Sequence, residues 1–374
     1  MKLHNMLFML AVTSILTVTN QDCFDVVKQE ISNVVSSISK FDDAPQIPET
    51  ESEVHLMFAG DLCLEEDEFV IDKYDKTGIL SDCISPELIQ MTNDADIFFL
   101  NHEYTCTDLG TPLANKYYTF RAKPERMEIL KELGTDLVSL ANNHIYDYGP
   151  EAMLDTMEQL KRAGITYVGG GANYEEASRP VYTTTNGITV GYVSASRAEK
   201  YRLTPEATED SPGILRMYEL DGIKSALTEA NNNCDFLIAY IHWGTENSPH
   251  FEEYQREIAK ELFACGADII IGGHPHVLQG MEYIDGKPVI YSLGDFWFND
   301  ETKYTGLLDL KITKNGIKEM KFVPCIQSGF TTTYIQEQEE QKQLYSYLQG
   351  LSNEVQIDDE GVILDVKKEE QLCD

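Results

Sequence analysis

The sequence predicts an α/β fold built on a mostly parallel β-sheet. From Val54 onward, short apolar runs alternate with longer segments of helical period, which is typical of β-α units around a parallel sheet. Residues 181–194 and 281–290 alternate in polarity around an Asn-Gly and an Asp-Gly pair, and this pattern predicts two β-hairpins. Because hairpins add antiparallel strands, we expect a mixed sheet or two stacked sheets.

Apolar residues with a period near that of an α-helix predict helices in four segments: 124–133, 150–163, 222–231 and 254–265. The second segment opens with Pro150, a residue that the first turn of a helix tolerates. We expect one face of this helix to lie in the core, with the side chains of Met153, Leu154, Met157 and Leu160.

The composition allows a large buried core and argues against nucleic acid as a partner. The chain has 374 residues, of which 42% are hydrophobic. Asp and Glu number 63 against 29 Lys and Arg, which gives a net charge of −34. A chain this acidic repels phosphate backbones, and its acidity indicates a highly soluble or cation-binding protein.

Four regions are predicted along the chain. Residues 1–20 combine Lys2 with a short apolar run, which suits a signal peptide or an N-terminal membrane anchor. Residues 21–53 are predicted to form a polar stalk, residues 54–330 the α/β domain, and residues 331–374 a C-terminal helix and acidic tail. We therefore expect an exported protein, secreted or attached to the cell surface. The 8 cysteines follow no zinc-finger spacing, and their pairing stays open.

Polar residues follow six predicted strands at the point where each strand ends. Because ligands bind outside the carboxyl ends of parallel strands, we expect these side chains to converge on one crevice. The candidates are Asp61, the segment Asn101-His102-Glu103, the segment Asn142-Asn143-His144 with Asp147 beyond it, His242, the segment His274-Pro275-His276, and Asp295.

The residue types in this set suit a divalent metal ion. Imidazole nitrogens mixed with carboxylate and amide oxygens favour Mn, Fe or Zn over an ion that prefers oxygen alone. Such an ion activates bound water and polarises a phosphoryl or carbonyl oxygen. A separate histidine is the natural group to protonate the leaving group at neutral pH. The sequence therefore predicts a hydrolytic metal site.

Structural alternatives stay open for these candidates. His242 could be a core imidazole under Trp243, and Asp61 could serve a turn after its glycine. His102 is expected to point away from the crevice because it neighbours Glu103 along a strand. Two isolated histidines, His55 and His250, are expected to be structural or exposed.

Six short motifs, in order between about residues 54 and 330, resemble those of one bacterial family. They are Gly60-Asp61, Asn101-x-Glu103, Leu140-Ala141-Asn142-Asn143-His144-x-x-Asp147-x-Gly149, His242-Trp243-Gly244-x-Glu246, Gly273-His274-Pro275-His276-Val277-x-Gln279 and Tyr291-Ser292-Leu293-Gly294. In these motifs the chain resembles the capsule-synthesis CapA family. That family is associated with poly-gamma-glutamate capsules and is related to the calcineurin-like metallophosphoesterases.

The resemblance implies a four-layer α/β/β/α sandwich, metallophosphatase-like, with a site for one or two divalent metal ions. It implies that His144 is the acid or transition-state stabiliser and that Asp147 orients His144 or shapes the loop. It also implies metal-site roles for six residues: Asp61, Glu103, Asn143, His242, His274 and His276.

Three departures from the phosphoesterase pattern bear on this site. Cys63 stands where those enzymes carry the histidine of an Asp-x-His motif, so a two-metal site requires Cys63 or Glu103 to compensate. Cys63 could bind metal as a thiolate or be a buried apolar side chain. Glu103 lies in an Asn-x-Glu setting in place of Gly-Asp. Asp295 stands where the resemblance leads us to expect Asn, and it could recruit a cation or repel an anionic polymer.

Three functions remain open from the sequence. The first is a factor in the synthesis, transport or anchoring of an anionic capsule polymer of the poly-gamma-glutamate type. The second is a metal-dependent hydrolase of phosphoesters or of cell-wall or gamma-glutamyl amide links. The third is a non-enzymatic scaffold of a capsule synthase complex. The expected partners are the anionic polymer or another cell-envelope substrate, together with membrane synthase subunits.

Overall fold

The fold consists of strands and helices that alternate along most of the chain. A computed structural model describes residue 29 and residues 52–66, 70–198 and 203–368. In these ranges the strands are β1 (Val54–Leu62), β2 (Ile97–His102), β3 (Thr105–Cys106), β4 (Arg121–Ala122), β5 (Leu137–Ser139), β6 (Thr166–Val168), β7 (Gly170–Gly171), β8 (Val181–Thr185), β9 (Ile188–Ser196), β10 (Gly213–Ile214), β11 (Phe236–His242), β12 (Ile269–Gly273), β13 (Met281–Ile284), β14 (Lys287–Ile290), β15 (Asp295–Trp297), β16 (Lys303–Thr313), β17 (Gly316–Ser328), β18 (Thr331–Tyr334), β19 (Val355–Ile357) and β20 (Ile363–Asp365).

The helices lie between these strands. In the same ranges they are α1 (Asp72–Thr77), α2 (Pro86–Asp94), α3 (Met127–Glu132), α4 (Pro150–Ala163), α5 (Tyr174–Ser178), α6 (Asp221–Asn231), α7 (Glu253–Ala264) and α8 (Gln338–Leu351). Within the described part of the chain, no helix is long and apolar enough to span a membrane. The predicted signal segment, and all but the last two residues of the predicted stalk, fall outside the ranges described from residue 52 onward.

Two mixed sheets carry the fold. In the first sheet the strand order is β18-β17-β16-β1-β2-β5-β6, and β15 pairs with the end of β1. The central strands β1, β2, β5 and β6 run parallel, whereas β16 to β18 are antiparallel additions. In the second sheet the order is β13-β14-β12-β11-β9-β8, again with a parallel centre.

Three apolar layers define the stacking of helices and sheets. Aromatic rings fill the space between the sheets, where Phe99 of the first sheet lies 4.6 Å from Tyr240 of the second, measured between ring centroids. On the outer face of the first sheet, Met153 and other residues of α2 to α4 form a second apolar cluster. On the outer face of the second sheet, Ile223 of α6 and Ile258 of α7 form a third. The predicted four-layer α/β/β/α sandwich is therefore confirmed.

Most of the predicted elements are present. Both hairpins are confirmed, with β8 pairing β9 and β13 pairing β14 in antiparallel fashion. All four predicted helices form, although the segment 124–133 begins as a 3-10 turn, Pro124–Arg126. One core assignment was wrong. Leu154 is 39% exposed, because α4 turns that position toward solvent while Met153 and Met157 face the sheet.

The chain beyond residue 330 continues the same compact unit. Strand β18 pairs with β17 and so extends the first sheet by one strand. Helix α8 then buries Leu344 and Leu348 in the apolar layer between the sheets. Strands β19 and β20 form a short antiparallel ribbon whose Val355 and Ile363 join that layer.

The carboxyl ends of the central parallel strands in both sheets lie close together. Across neighbouring strands Asp61 is paired in register with Asn101 on one side and Asp295 on the other. In the second sheet His242 is paired with Gly273, the residue before His274. The hydroxyl of Tyr240 donates to the carbonyl oxygen of Ala59 at 2.9 Å, so the two sheets are joined just before these ends.

Gly60 allows this close approach of backbone to backbone. A Cβ atom at position 60 would collide with the carbonyl oxygen of Gly294. We expect Gly60→Ala to lower the free energy of unfolding by about 3 kcal/mol or more, because the clash is with main chain that cannot move aside. Urea denaturation followed by circular dichroism measures the loss.

Gly350→Ala is the matched control for this prediction. Gly350 lies in α8, and an added Cβ there would meet no atom within 4 Å. The same substitution should leave stability unchanged or raise it by about 0.5–1 kcal/mol, because alanine favours a helix over glycine. Equal stability changes for the two variants would contradict the close approach at Gly60.

Candidate metal centre

Two buried carboxylates form the centre of the site. Asp61 ends β1, Glu103 follows β2, and both side chains are inaccessible to solvent. The side-chain amide of Asn101 donates to Asp61 Oδ1 at 2.8 Å and to Glu103 Oε2 at 3.0 Å, and it therefore bridges the two acids. Burying two acids together is costly unless a cation or several donors compensate them.

Three histidines from the second sheet surround these acids. His242 ends β11, and its Nε2 lies 3.4 Å from Glu103 Oε1. His274 and His276 follow β12, and the main-chain N–H of His274 donates to Asp61 Oδ2 at 2.9 Å. The rings of His242 and His274 are 4.7 Å apart between centroids.

The backbone is strained at His274 and His276. His274 and His276 have positive φ angles of 97° and 57°, in a region that residues other than glycine rarely adopt. Such a conformation costs on the order of 1–3 kcal/mol and persists where surrounding contacts fix it. Here the bond from His274 to Asp61 and the bond from His276 Nδ1 to Asp295 Oδ1, 2.7 Å, hold both side chains toward the acids.

These side chains form two overlapping groups of potential metal ligands. One group is Glu103, His242 and His274, and the other is Asp61, Glu103 and His276. In each group the ligand atoms lie within 4.8 Å of one another. Glu103 belongs to both groups, so it could bridge two ions. The amide oxygen of Asn143 lies 2.7 Å from His242 Nε2 and would add an oxygen beside the first group.

Burial shifts the pKa of each ionisable group at the centre of the site. Burial and, after it, the nearby Glu103 carboxylate raise the pKa of Asp61 to about 7, and burial raises the pKa of Glu103 to about 6. Burial lowers the pKa of His242 to about 4 and that of His274 well below its usual range. A divalent cation among these groups would favour ionised acids and neutral imidazoles, which are the forms that bind metal.

His276 is the exception among the histidines. Burial would lower the pKa of His276, but the carboxylates of Asp295, Glu103 and Asp61 raise it to about 10. In the absence of metal, its imidazolium partly compensates the buried acids. A metal ion would have to displace that proton, whereas the bond to Asp295 through Nδ1 already directs the ring.

Two potential ligand atoms of the site have no hydrogen-bond partner. Among the described residues, Glu103 Oε1 and His274 Nδ1 are buried and have no hydrogen-bond partner. Buried polar atoms nearly always have one, and a metal ion would accept the lone pairs of both atoms. Unpaired buried atoms also occur at His102 and Tyr104, so the case for metal rests on the clustering of the ligand atoms. The mixture of imidazole and carboxylate atoms is the chemistry of Mn, Fe or Zn sites. The residues therefore fit a divalent metal ion.

The structure accounts for two of the departures noted in the sequence. Cys63 is buried, and burial raises the pKa of its thiol well above the usual range, with Glu65 adding to the rise. A thiol that stays protonated is a poor metal ligand, and within the described residues neither ligand group includes it. Asp295 orients His276, so it acts inside the site.

The proton-donor candidates lie beside the metal ligands. His144 Nδ1 is 2.7 Å from Asp147 Oδ2, and both side chains are buried. The ring of Phe120 packs on His144 with 4.2 Å between centroids. A cleft of about 330 Å³ opens over His144 and His276, and Tyr118 and Phe298 line it. The dyad therefore faces the space from which a substrate would approach the metal ligands.

Sequence reasoning missed Lys116 and assigned no role to two of its strand-end candidates, Asn101 and Asn142. Asn101 bridges the two acids, and its place in the Asn-x-Glu motif was the available signal. Asn142 accepts the main-chain N–H groups of His144 and Ile145 at 3.0 and 2.9 Å and so shapes the loop. Lys116 contacts Asp147 Oδ1 at 2.6 Å, and nothing in its surrounding sequence pointed to the site.

The other histidines lie apart from the ligand groups, as the sequence predicts. His102 is buried and its ring stacks on Tyr104 with 3.9 Å between centroids. His55 Nε2, near the start of β1, pairs with Asp309 of the neighbouring strand β16 at 2.9 Å. His250 is exposed. Among the described residues, none of the three belongs to a potential metal-binding group.

The fold and site define a class of protein: a four-layer α/β/β/α sandwich with a buried histidine and carboxylate centre suited to divalent metal. Residues 55–300 match the family described as bacterial capsule synthesis protein PGA_cap. The chain belongs to this family.

Named relatives carry related descriptions. The chain is 35% identical to the capsule biosynthesis protein CapA of Bacillus anthracis over 226 residues, which cover 58% of this chain and 54% of that protein. It is 29% identical to the PGA biosynthesis protein CapA of Bacillus subtilis, over 56% of each chain. The chain spans about half the length of these relatives. A phosphatase structure from Mycoplasma pneumoniae aligns with a TM-score of 0.48 at 12% identity, over 75% of this chain and 96% of that one.

The raised pKa of His276 predicts a pH-dependent stability of the metal-free protein. A group whose pKa is raised by folding stabilises the fold below its unfolded pKa, and this contribution is lost as pH rises through the folded value. Between about pH 7 and 10, metal-free protein should therefore lose on the order of 3 kcal/mol that a His276→Gln variant does not lose. Urea denaturation in chelator across that range measures the difference.

His250→Gln is the matched control, since it removes an exposed imidazole. Its stability should follow that of the wild type at every pH. If the wild type and His276→Gln lose stability in parallel above pH 7, the ion pair between His276 and the carboxylates is contradicted.

Proposed function

We propose that this chain is a metal-dependent hydrolase that acts in the biosynthesis of an anionic capsule polymer. One observation carries the hydrolytic part of the proposal. Two potential ligand groups share the buried Glu103, and the His144–Asp147 dyad lies beside them, with His144 lining a cleft. A scaffold would have no use for buried acids that lower stability when they are left uncompensated.

This chain has candidate ligands for two metal positions. Glu103, His242 and His274 would hold one ion, with Asn143 beside them, and Asp61 and His276 would complete a second position. The chemistry that such an ion supplies is activation of water and polarisation of a phosphoryl or carbonyl oxygen. The first position has more candidate protein ligands than the second, where Cys63 replaces a histidine. We therefore expect the first to bind more tightly.

His144 acts as the proton donor to the leaving group in this proposal. Its Nδ1 is engaged by Asp147, which leaves Nε2 as the atom that exchanges a proton with the substrate. Phe120 covers one face of the ring and limits access of water to it. Asn101 holds the two acids at a fixed separation, so the ligands do not rearrange when the substrate enters.

The capsule part of the proposal rests on the family and on the printed names of the relatives. Poly-gamma-glutamate or a similar anionic envelope polymer would be the substrate, and membrane synthase subunits would be the partners. Among the described residues, the cleft is lined by one lysine, Lys303, and by four acids: Glu65, Glu246, Asp300 and Glu301. A polyanion would therefore be bound mainly through metal, because the cleft wall repels it. The predicted leader implies action outside the cytoplasm.

The first test measures metal. Full-length protein, loaded separately with Mn, Fe or Zn and then desalted, should retain at least about one ion per chain, because three ligand atoms converge within bonding range. Glu103→Gln should lose this metal, since it removes the group common to both sets. Glu128→Gln, the same change on an exposed residue of α3, should retain it. Mass spectrometry of bound metal gives the numbers.

The second test measures turnover on two bond types, aryl phosphodiesters and gamma-glutamyl amides. The metal-loaded wild type should cleave at least one of them. His144→Gln should keep its metal and lose about 100-fold or more in kcat, because proton donation typically contributes that much. Wild-type protein without stoichiometric metal under every loading condition would overturn the metal site. Bound metal without cleavage of either bond would favour the scaffold function.

A further inference from the structure

We infer that Lys116 is a positioning residue for the proton donor, which it holds through Asp147. This inference rests on the proposed function of His144. Lys116 lies in the segment between β3 and β4, far from the motifs that identify the site. Its ammonium group is 2.6 Å from Asp147 Oδ1, and its side chain is only 8% exposed.

The two oxygens of Asp147 have separate partners. Oδ1 faces Lys116, whereas Oδ2 lies 2.7 Å from His144 Nδ1 and accepts the main-chain N–H of Phe120 at 2.7 Å. The carboxylate is fully buried. Its rotation is therefore fixed from both sides, and a fixed carboxylate keeps one proton on His144 Nδ1 whether the ring is neutral or cationic. The cationic ring then carries its second proton on Nε2, and this is the proton that passes to the leaving group. Lys116, Asp147 and His144 form one chain of contacts that ends at the cleft.

A second contact ties Lys116 to the same loop. The ammonium group also donates to the carbonyl oxygen of Asn143, the residue before His144. Lys116 therefore bridges two points of the loop that carries the proton donor. A buried ammonium with two such partners loses much of its side-chain freedom, so it can set the loop position within a narrow range.

The segment that carries Lys116 is itself anchored on this loop. The main-chain N–H of Leu113 donates to the carbonyl oxygen of Asp147 at 2.8 Å. Gly110 packs against the carbonyl oxygen of Tyr148 so closely that a side chain would collide with it. Tyr118, two residues beyond Lys116, lines the substrate cleft. The segment thus contacts the loop that carries the dyad and also contributes Tyr118 to the cleft.

A purely structural role for Lys116 makes a different kinetic prediction. Loss of fold integrity would lower the rate on all substrates equally. Misplacement of a proton donor lowers the rate most where the leaving group needs a proton, that is, for weakly acidic leaving alcohols. A series of aryl phosphodiesters with leaving groups from p-nitrophenol to phenol separates the two cases.

The variants are Lys116→Met, Lys116→Arg and the control Lys123→Met, assayed as full-length, metal-loaded protein. Lys123 lies just after β4 and its side chain is 60% exposed, so the same change there should alter nothing. Lys116→Met should lose about 10-fold to 100-fold in kcat on phenyl esters, and much less on p-nitrophenyl esters, with KM and metal content unchanged. Lys116→Arg should restore most of the loss, because it keeps the charge. An equal loss across the series would overturn the inference.

Nuclear magnetic resonance of ¹⁵N-histidine-labelled, zinc-loaded protein decides the same question without turnover. The ¹⁵N shifts of His144, assigned by the loss of its signals in His144→Gln, report which ring nitrogen carries the proton. At a pH where the His144 ring is neutral, we expect its one proton on Nδ1 in the wild type and Lys116→Arg, and a mixture of the two tautomers in Lys116→Met. Identical His144 shifts in the wild type and Lys116→Met would refute the role of Lys116. Failure of the wild type to cleave any ester would count against the proposed function alone.

Discussion

The burial of two carboxylates side by side is the constraint on which the rest of this structure depends. Asp61 and Glu103 lie at adjacent strand ends, out of contact with water, and neither can ionise there at ordinary cost. Asn101 supplies donors to both acids, and the imidazolium of His276 supplies charge. These partners compensate the buried carboxylates only in part, because Glu103 Oε1 has no hydrogen-bond partner among the described residues. A divalent cation bound to the two carboxylates would supply the remaining compensation.

The two-sheet architecture is what makes this convergence possible. The carboxyl ends of parallel strands lie side by side, so the polar residues that follow the strands of one sheet lie close together. The aromatic layer around Tyr240 holds these strand ends of the two sheets against each other. Acids come from the first sheet and most histidines from the second. The candidate metal centre therefore lies where the two sheets meet and depends on their packing. A change at Gly60, where main chains touch, would act on the site as well as on stability.

The sequence was enough to predict the layers and the convergence of the candidate ligand residues, because both follow local rules. Apolar runs followed by polar residues predict strand ends, and strand ends predict convergence. The sequence did not predict that Lys116 contacts Asp147, because the position of Lys116 depends on the path of an irregular segment between two short strands. The role of Asp295 also escaped prediction, since only the paired backbone of β1 and β15 brings it to His276. The prediction that Leu154 lies in the core was wrong for a simpler reason. Leu154 is at the border of the apolar stripe of its helix, and the helix turns that border toward solvent.

Anomalous X-ray diffraction from crystals of metal-loaded protein, recorded on both sides of the absorption edge of the metal, would locate the bound ions. We expect a strong peak within bonding distance of Glu103, with His242 and His274 as further ligands. A second, weaker peak would lie toward Asp61 and His276. Anomalous density elsewhere on the molecule, with none near Glu103, would contradict the assignment of the buried carboxylates as the metal centre.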